Sequence, residues 1–386
     1  MGNDKGKEKE VNLQGILPTI RGPADVKKLK LNELSKLSAE IRDFLVDRIS
    51  KNGGHLSPNL GVVELSIALH YVFNSPKDKL LFDTGHQSYV HKILTGRSSK
   101  FEGLRKQGGI AGFPDPAESE HDQFITGHAS PSISQAIGMA LARDLKKESN
   151  HVVAIIGDGA LTGGVALEGL NFAGYKQTKV IIVINDNKMS YNQTVGAIQA
   201  YNNRLSVGNN ILSTPIYHQV RGDIHLLLDN IPKEKEELTA AVRRLREAAL
   251  SVLTPGIVFE ELGYTYFGPL DGHNLSLLID TFKKAALIKG PVIVHVITQK
   301  GKGCEFAESD QDVNGKYHGL GQFDPESGDI VKKSNLPAYA DIFCNKLMEQ
   351  AKVDPRIVAM TAAMPIGTAL LKFSKEFPDR FLDVGI

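Results

Sequence analysis

The stretch HVVAIIGDGALTGGVALEGLNFAGYKQTKVIIVINDNKM, residues 151–189, contains two apolar runs separated by a helix-like segment. The runs, His151–Ile156 and Lys179–Ile184, are rich in β-branched residues and have the length of strands. A strand, a helix and a second strand at this spacing form a right-handed βαβ unit, so the sequence predicts a parallel sheet. Because both runs are apolar, we expect helices on both faces of that sheet.

A polar motif follows each predicted strand, Gly157–Ala160 after the first and Asn185–Met189 after the second. Since parallel strands end at the same edge, Asp158 and Asn187 are expected to lie together, where open α/β sheets bind ligands. Carboxylate, amide and backbone carbonyl oxygens suit Mg²⁺. The glycines beside Asp158 allow a diphosphate to approach the backbone and the start of the next helix.

A purely structural role and a nucleotide-binding role both fit these motifs less well. Asp158 could belong to a plain turn and Asn187 to a plain strand-end cap, but the motifs occupy matching positions of one βαβ unit. The dinucleotide-binding pattern fails because Thr162 stands where its third glycine is required, and no P-loop pattern occurs in the chain. The paired motifs therefore favour a site for a metal and a diphosphate.

Apolar periodicity predicts further elements on either side of this unit. Residues 33–51 carry one apolar stripe of a helix, with Asn32 as its expected N-cap. A second helix is expected over Pro58–Phe73, and Val292–Ile297 reads as another strand of the same sheet. Residues 203–250 are polar and lack the βαβ rhythm, so we interpret them as an excursion of loop and helices.

The chain is predicted to contain one large domain and part of a second. We interpret residues 1–10 as a disordered tail, 11–320 as the large domain and 321–337 as a linker. Residues 338–386 follow with a helix, a strand, a helix and a strand. Two strands with a bare parallel edge make a marginal domain, so we expect this second α/β domain to be incomplete.

The composition excludes several classes of protein. The net charge is +1, and no basic stripe interleaved with aromatic residues suggests a nucleic-acid partner. No apolar stretch has the length of a membrane span or the features of a signal peptide. The two cysteines, Cys304 and Cys344, are far apart and lack metal-ligand spacing. These features predict a cytoplasmic protein without a disulfide framework.

The motif pair resembles the signature of thiamin-diphosphate enzymes, and six further stretches make the resemblance more specific. They are GGHLSPNLGVVEL (53–65), DTGHQSYVHKILTGR (83–97), TGHASPSIS (126–134), FEELGYTYFGPLDGH (259–273), KGKGCEFAE (300–308) and KYHGLGQFDPESG (316–328). Together they make the chain similar to the 1-deoxy-D-xylulose-5-phosphate synthase family, whereas transketolases share only the GDG element. The resemblance implies a doubly wound α/β fold that binds thiamin diphosphate.

The resemblance also implies which residues hold the cofactor. It assigns Asp158, Asn187 and the Met189 carbonyl to Mg²⁺, and Gly159 and Ala160 to the diphosphate. Asn187 is thereby a cofactor-binding residue as well as a metal ligand.

A second diphosphate contact is expected from Gly127, His128 and Ala129, which precede a helix with Ser130 as its expected N-cap and Pro131 at its first position. The family pattern has a serine where this chain has Ala129, so only backbone contact is expected there.

Three histidines are implied in the chemistry. His86 resembles the histidine that contacts the cofactor, and His55 and His318 resemble histidines near the reacting carbon, where imidazole suits proton transfer. The family pattern has a tyrosine where this chain has Cys304, so the cysteine is expected to be either a plain small residue or a weakened cofactor contact. The remaining histidines, including His273, are expected to be structural.

The implied reaction joins pyruvate, after loss of CO₂, to glyceraldehyde 3-phosphate, giving 1-deoxy-D-xylulose 5-phosphate for isoprenoid, thiamin and pyridoxal synthesis. In the family the glutamate that activates the aminopyrimidine ring follows the run that ends this chain at Ile386. Three interpretations stay open: a fragment of a longer enzyme, one subunit of a split enzyme, or a non-catalytic relative. We expect little activity from the chain alone, and either a homodimer or a complementing pyrimidine-domain chain.

Overall fold

The computed structural model of the chain describes residues 15–187, 256–309, 315–331 and 336–385. The predictions for the tail at 1–10, the excursion at 203–250 and the Met189 carbonyl lie outside these residues. The described residues form a five-stranded parallel sheet between helices, followed by a two-stranded parallel sheet with helices of its own. The predicted α/β class is confirmed.

The larger sheet consists of β1 (Lys79–Phe82), β2 (Val152–Gly157), β3 (Ile181–Asp186), β4 (Thr265–Asp271) and β5 (Val292–Ile297). All five strands run parallel, in the spatial order β1-β2-β3-β5-β4. Gly157 of β2 lies opposite Asn185 of β3. The two polar motifs therefore meet at one edge of the sheet, as their positions in the sequence predict.

The described helices are α1 (Pro23–Val26), α2 (Leu31–Asn52), α3 (Ser57–Leu60), α4 (Val63–Val72), α5 (Tyr89–Lys92), α6 (Ser132–Leu145), α7 (Asp158–Leu161), α8 (Gly164–Lys176), α9 (Ile257–Glu261), α10 (Leu275–Leu287), α11 (Glu305–Glu308), α12 (Tyr339–Val353) and α13 (Leu371–Glu376). Short 3₁₀ turns occupy Leu17–Thr19, Ser98–Gly103 and Pro378–Arg380, and a π turn occupies Ile93–Arg97. Helices α2, α4 and α10 cover one face of the large sheet, and α6 and α8 cover the other.

Alternate residues of each central strand pack into the cores on opposite faces of the sheet. Val153 and Ile155 of β2 belong to the core beneath α2, α4 and α10, whereas Ala154 and Ile156 belong to the core beneath α6 and α8. A strand that is buried on both faces needs apolar residues at every position, and this explains the continuous apolar runs of β2, β3 and β5. Their predicted positions are confirmed to within two residues.

The sequence did not predict β1 or β4. Strand β1 has only four residues, and the apolar run that contains them is too short to separate from a loop. Strand β4 is an edge strand of mixed exposure, and its sequence TYFGPLD is interrupted by Gly268 and Pro269. Its pairing with β5 shifts register between Phe267 and Leu270, which accommodates this interruption.

Helix α2 has the predicted buried stripe but not the predicted start. The stripe residues, each no more than 1% exposed, are Leu34, Leu37, Ile41, Leu45 and Ile49. The helix begins at Leu31 and not after Asn32, because the Glu33 carboxylate accepts a hydrogen bond from the Lys30 N–H at 2.7 Å. It stops at Gly53, whose φ of 74° suits a glycine at a helix end.

Two of the predicted helices are each divided. The helix expected over Pro58–Phe73 is α3 followed by α4, and at Gly61 between them a side chain would meet the backbone of Gln299. The helix expected after β2 is the single turn α7 followed by α8. At Gly163, between α7 and α8, a side chain would collide with Ser130. Close packing against neighbouring loops accounts for both breaks.

The C-terminal unit confirms the predicted alternation of helix and strand after residue 338. Strands β6 (Ala359–Thr361) and β7 (Phe381–Asp383) pair in parallel, with α12 and α13 packed beside them around Phe373. The predicted linker at 321–337 is only partly a linker. Phe323 within it is 3% exposed because it packs into the core of the larger unit. Its backbone also forms an antiparallel bridge with Ile330.

Substitution of one glycine in α8 and one in α6 can test how closely these helices pack against their neighbours. A side chain at Gly174 of α8 would strike the Leu262 carbonyl and approach the Tyr264 ring, whereas one at Gly138 of α6 would meet nothing within 4 Å. We expect Gly174→Ala to lower the free energy of unfolding by roughly 1–2 kcal/mol, since overpacking outweighs the gain in helix propensity. Gly138→Ala should raise it by roughly 0.5–1 kcal/mol.

Urea unfolding of both variants, followed by circular dichroism, measures the difference. Equal midpoints for Gly174→Ala and the unaltered chain would contradict the contact between α8 and Leu262.

Candidate active site

A cleft of about 1030 Å³ opens at the carboxyl edge of β2 and β3. Its walls include every described residue that the sequence assigned to the site except Cys304: His55, His86, Gly127, His128, Ala129, Asp158, Gly159, Ala160, Asn187 and His318. These residues come from six separate stretches of the chain. The fold therefore brings together the residues that the motif analysis grouped.

One end of the cleft presents hard oxygen donors. Asp158 is 2% exposed at the first position of α7, directly after β2, and Asn187 follows β3 on the neighbouring strand. Side chains at Gly157 and Gly127 would each point into open space. The missing side chains leave room for a bulky anion beside Asp158 and Asn187, so these residues fit a diphosphate with a divalent cation.

The cation would need ligands besides carboxylates. Within the described residues, no three His, Cys, Asp or Glu side chains converge on one point. A cation at this end of the cleft would therefore draw on Asp158, the Asn187 amide oxygen and backbone carbonyls. Such a set, completed by phosphate oxygens, suits Mg²⁺ better than softer metals.

The predicted anion site at the start of α6 is wrong in one respect. Ser130 does not cap the helix. The Asp83 carboxylate accepts hydrogen bonds from the N–H groups of Ser130 at 2.8 Å and Ser132 at 3.0 Å, and the Ser130 hydroxyl instead donates to the Ala160 carbonyl at 2.8 Å. Because a carboxylate already occupies this helix terminus, Gly127–Ala129 can contribute to the cleft only as a loop.

The three predicted histidines form a cluster along the cleft. The ring centroids of His55 and His86 lie 5.6 Å apart, those of His55 and His318 5.8 Å, and those of His86 and His318 5.3 Å. Phe113 packs edge-on against His55. The Nδ1 atom of His86 is buried and accepts or donates no hydrogen bond within the described part of the chain. A buried polar atom of this kind in a cleft wall suits a bound ligand.

Burial keeps these imidazoles neutral. It lowers the pKa of His55 to about 4 and that of His86 to about 3, and the pKa of His318 falls well below its usual value for the same reason. Nearby positive charge acts in the same direction, from Arg105 on His55 and from Lys300 on His86 and His318. At neutral pH each ring therefore has one N–H donor and one nitrogen acceptor.

Asn59 positions two of the histidines, and the sequence analysis missed it. Its fully buried side chain donates to the carbonyls of His55 and His86, both at 2.8 Å, and accepts from the Tyr89 N–H at 2.9 Å. One amide thus ties together the loop before α3 and the loop before α5. Its place in the stretch GGHLSPN was the available clue, because that stretch also contains His55.

Several further cleft residues were also missed. They are Asn52, Pro58, Asp83, Thr84, Gln87, Arg105, Phe113, Lys300 and Met364, with Gly319–Gly321 beside His318. Gln87 and Lys300 lie within stretches already singled out for different residues. Arg105 and Met364 had no such clue, because only the folded chain brings them to the cleft. Lys300 and Arg105 add positive charge to a cleft that also contains two carboxylates.

Cys304 lies outside the cleft, which favours the plain small residue over the cofactor contact. Cys304 is 7% exposed and borders a separate surface depression with Asp43, Phe306 and Ser327. The glycines on either side of the preceding turn, Gly301 and Gly303, both have positive φ and direct the side chain into the core. Burial raises the pKa of the thiol, which keeps it protonated.

The structural role expected for His273 fits its contacts. Its Nδ1 atom lies 2.9 Å from the Glu64 carboxylate, which also pairs with Arg42 at 2.6 Å. Its Nε2 atom accepts a hydrogen bond from the Gln299 N–H at 2.8 Å. His70 and His91 similarly bond to each other away from the cleft.

No helix in the described residues combines the length and apolarity needed to cross a bilayer.

The fold of the chain is similar to the α/β fold of transketolases. The chain is similar in structure to transketolase from Campylobacter jejuni, with a TM-score of 0.53 and 16% identity, covering 91% of this chain and 50% of that one. For transketolase from Leishmania mexicana the TM-score is 0.52, also at 16% identity, with 90% and 48% covered.

Sequence comparison is more specific. A family model for 1-deoxy-D-xylulose-5-phosphate synthase matches residues 17–298, and the chain belongs to this family. It is 50% identical over 372 residues to the synthase of Desulfitobacterium hafniense and 51% identical over 371 residues to that of Brevibacillus brevis. These alignments cover 96% of this chain but only 58% and 57% of the relatives.

The neutral state of the histidines is testable by NMR. We expect the imidazole ¹⁵N signals of His55 and His86 to stay at neutral-ring shifts down to pH 5, because burial holds their pKa values at about 4 and about 3. His55→Gln and His86→Gln identify the two signals. A protonation midpoint above pH 6 for either ring would contradict the burial of the cluster.

The same shifts predict a dependence of stability on pH. The folded-state pKa of each ring lies below its unfolded value near 6.5, so the unfolded chain takes up protons first as the pH falls. The stability contributed by a neutral ring is complete above pH 6.5 and is lost as the pH falls towards 4. Urea midpoints at pH 7.5 and 5 measure this loss, and His55→Gln should reduce it.

Proposed function

We propose that the chain supplies the diphosphate-binding part of a 1-deoxy-D-xylulose-5-phosphate synthase. The substrates are pyruvate and glyceraldehyde 3-phosphate, and the products are 1-deoxy-D-xylulose 5-phosphate and CO₂. The observation that carries the proposal is the cleft itself, where Asp158 and Asn187 lie at one end and three neutral histidines lie along the wall.

Thiamin diphosphate, when bound, supplies the electron sink for decarboxylation and for carbon–carbon bond formation. In this chain Asp158 and Asn187 would hold Mg²⁺, with the Met189 carbonyl as a further proposed ligand. Gly159 and Ala160 would contact the diphosphate through their backbone, and Gly127–Ala129 would do so from the opposite loop. The open space beside Gly157 and Gly127 supports this arrangement.

The histidines are proposed to manage protons at the substrate oxygens. A neutral imidazole can donate a hydrogen bond with one nitrogen and accept a proton with the other, so His55 and His318 could serve either substrate. A bound phosphate or diphosphate would raise their pKa values from the present low range. The rings could then exchange protons nearer neutral pH, which is the range that general acid–base catalysis requires.

The surroundings of the cluster favour a dry reaction site. Phe113 packs against His55, and Leu320 and Pro58 line the same walls. Apolar walls strengthen the hydrogen bonds that polar groups make to a substrate. Asn59 holds the His55 and His86 backbones at fixed positions, which orients both rings before a ligand binds.

A non-catalytic relative or one subunit of a split enzyme is the alternative function. Two departures from the family pattern would favour a non-catalytic relative. The first, Cys304, does not support that role, because Cys304 lies outside the cleft and its small side chain removes no contact there. The second departure, Ala129, leaves backbone contact intact. The catalytic role is therefore favoured over the non-catalytic one, and the proposed assembly is either a homodimer or a complex with a complementing pyrimidine-domain chain.

Cofactor binding is the direct test. We expect the chain to bind thiamin diphosphate only in the presence of Mg²⁺, and Asp158→Asn to weaken binding at least about tenfold because a charged ligand is lost. Asp280→Asn, on the exposed face of α10, is the matched control and should bind normally. Isothermal titration with and without EDTA measures the affinities. Equal affinity for Asp158→Asn would place the cation elsewhere.

Activity separates the remaining alternatives. The 386-residue chain spans 58% of the length of the Desulfitobacterium hafniense relative, and we expect this part alone to release little or no CO₂ from pyruvate. Addition of the remaining segment of the Brevibacillus brevis relative should restore product formation, measured as 1-deoxy-D-xylulose 5-phosphate. Cofactor binding without product in the complemented mixture would favour the non-catalytic relative, and strong turnover by the chain alone would contradict the need for a second part.

A further inference from the structure

A buried chain of hydrogen bonds crosses the sheet behind the cation end of the cleft. The Tyr266 hydroxyl of β4 lies 2.8 Å from Nδ1 of His295 on β5, and Nε2 of His295 lies 3.1 Å from Oδ2 of Asp186 on β3. His295 and Asp186 are fully buried. Three neighbouring strands are thus linked by side chains as well as by their backbones.

The chain of hydrogen bonds has a definite direction. With Asp186 ionised, its carboxylate can only accept, so Nε2 of His295 donates to it. With the His295 ring neutral, Nδ1 is the acceptor and the Tyr266 hydroxyl donates to it. Tyr266 thereby selects the His295 tautomer that donates to Asp186, and a buried carboxylate depends on such donors because it cannot reach water.

Asp186 is held at both its side chain and its backbone. The Thr298 N–H, at the end of β5, donates to the Asp186 carbonyl at 2.9 Å, while His295 bonds to the carboxylate. Asn187, the proposed cation ligand, is the next residue. Its backbone position therefore follows from how firmly Asp186 is fixed, and the Asp186 charge adds negative potential close to the cation.

We propose that Tyr266 and His295 are positioning residues for the cation site, acting through Asp186 on Asn187. This inference rests on the proposed function, because it takes Asp158 and Asn187 as the cation ligands. Neither Tyr266 nor His295 lines the cleft. Both residues act from behind the strand ends. Tyr266 lies in the stretch 259–273 and His295 in the predicted strand Val292–Ile297, but neither was assigned a role from the sequence.

A pair of tyrosines in one segment provides a matched test. Tyr266→Phe removes the hydroxyl that orients His295 but keeps the ring, which stacks on Phe259 with centroids 5.9 Å apart. Tyr264→Phe also removes one hydrogen bond, from its hydroxyl to the Leu170 carbonyl at 2.7 Å, in the core beneath α8. Tyr264 has no bond to His295 or Asp186 among the described contacts, so it controls for a general loss of packing.

The experiment titrates Mg²⁺ into the full chain with thiamin diphosphate present and follows the heat. We expect Tyr266→Phe to weaken Mg²⁺ binding by about three- to tenfold, less than the loss of a partner that touches a ligand directly. Tyr264→Phe should leave the Mg²⁺ affinity within about twofold of the unaltered chain. Urea midpoints of both variants show whether the stability losses are comparable.

His295→Gln gives a second variant further along the same chain of hydrogen bonds. It keeps one donor but cannot bridge Tyr266 and Asp186 with the imidazole geometry, so we expect a loss of Mg²⁺ affinity of about tenfold or more. Circular dichroism shows whether the variant folds. If it does not fold, the Tyr266 and Tyr264 pair decides the question alone.

The outcomes separate this inference from the proposed function. No Mg²⁺-dependent binding by the unaltered chain would overturn the proposed function and this inference with it. Loss of binding by Asp158→Asn together with unchanged affinity in Tyr266→Phe would overturn the inference alone. Equal weakening in Tyr266→Phe and Tyr264→Phe would also overturn it, because the effect would then reflect packing.

Discussion

Parallel hydrogen bonding between β2 and β3 sets Gly157 beside Asn185, and this register decides which polar groups share an edge. A slip of one residue would turn the side chains of the shifted strand toward the opposite layer. With the observed register, Asp158 directly after β2 and Asn187 directly after β3 both line the cleft at the carboxyl edge of the sheet. The apolar layers on both faces of the sheet hold that register, so the cleft depends on the core beneath it.

Buried polar groups that hydrogen-bond to neighbouring elements are a second constraint on the structure. The three cleft histidines stay neutral because they are withdrawn from water, whereas Asp83 and Asp186 are satisfied by donors from neighbouring elements. Such groups cost free energy when unpaired, so each one constrains the elements around it. The cleft is consequently lined by side chains whose positions are set before any ligand binds.

The predictions that failed concern contacts between distant parts of the chain. Ser130 has a residue type that favours a helix cap, but the helix begins at Ser132, and the carboxylate of Asp83, far away in the sequence, accepts from the Ser132 N–H. Cys304 stands where an aligned residue would touch the cofactor, yet its turn directs it into the core. Local propensity was a poor guide for Ser130 because a tertiary contact competed with it, whereas the family resemblance was a poor guide for Cys304 because the turn before it directs the side chain away from the cleft.

The sequence alone determined the α/β class, the central strands and the pairing of Asp158 with Asn187, because strand burial and ligand chemistry leave patterns in adjacent residues. The grouping of the three histidines with them was implied only by the family resemblance. Only the tertiary structure decided that Asn59 orients two histidine loops, that Arg105 enters the cleft, and that Tyr266 connects through His295 to Asp186. These are contacts between side chains far apart in the chain, and their geometry exists only once the sheet has formed.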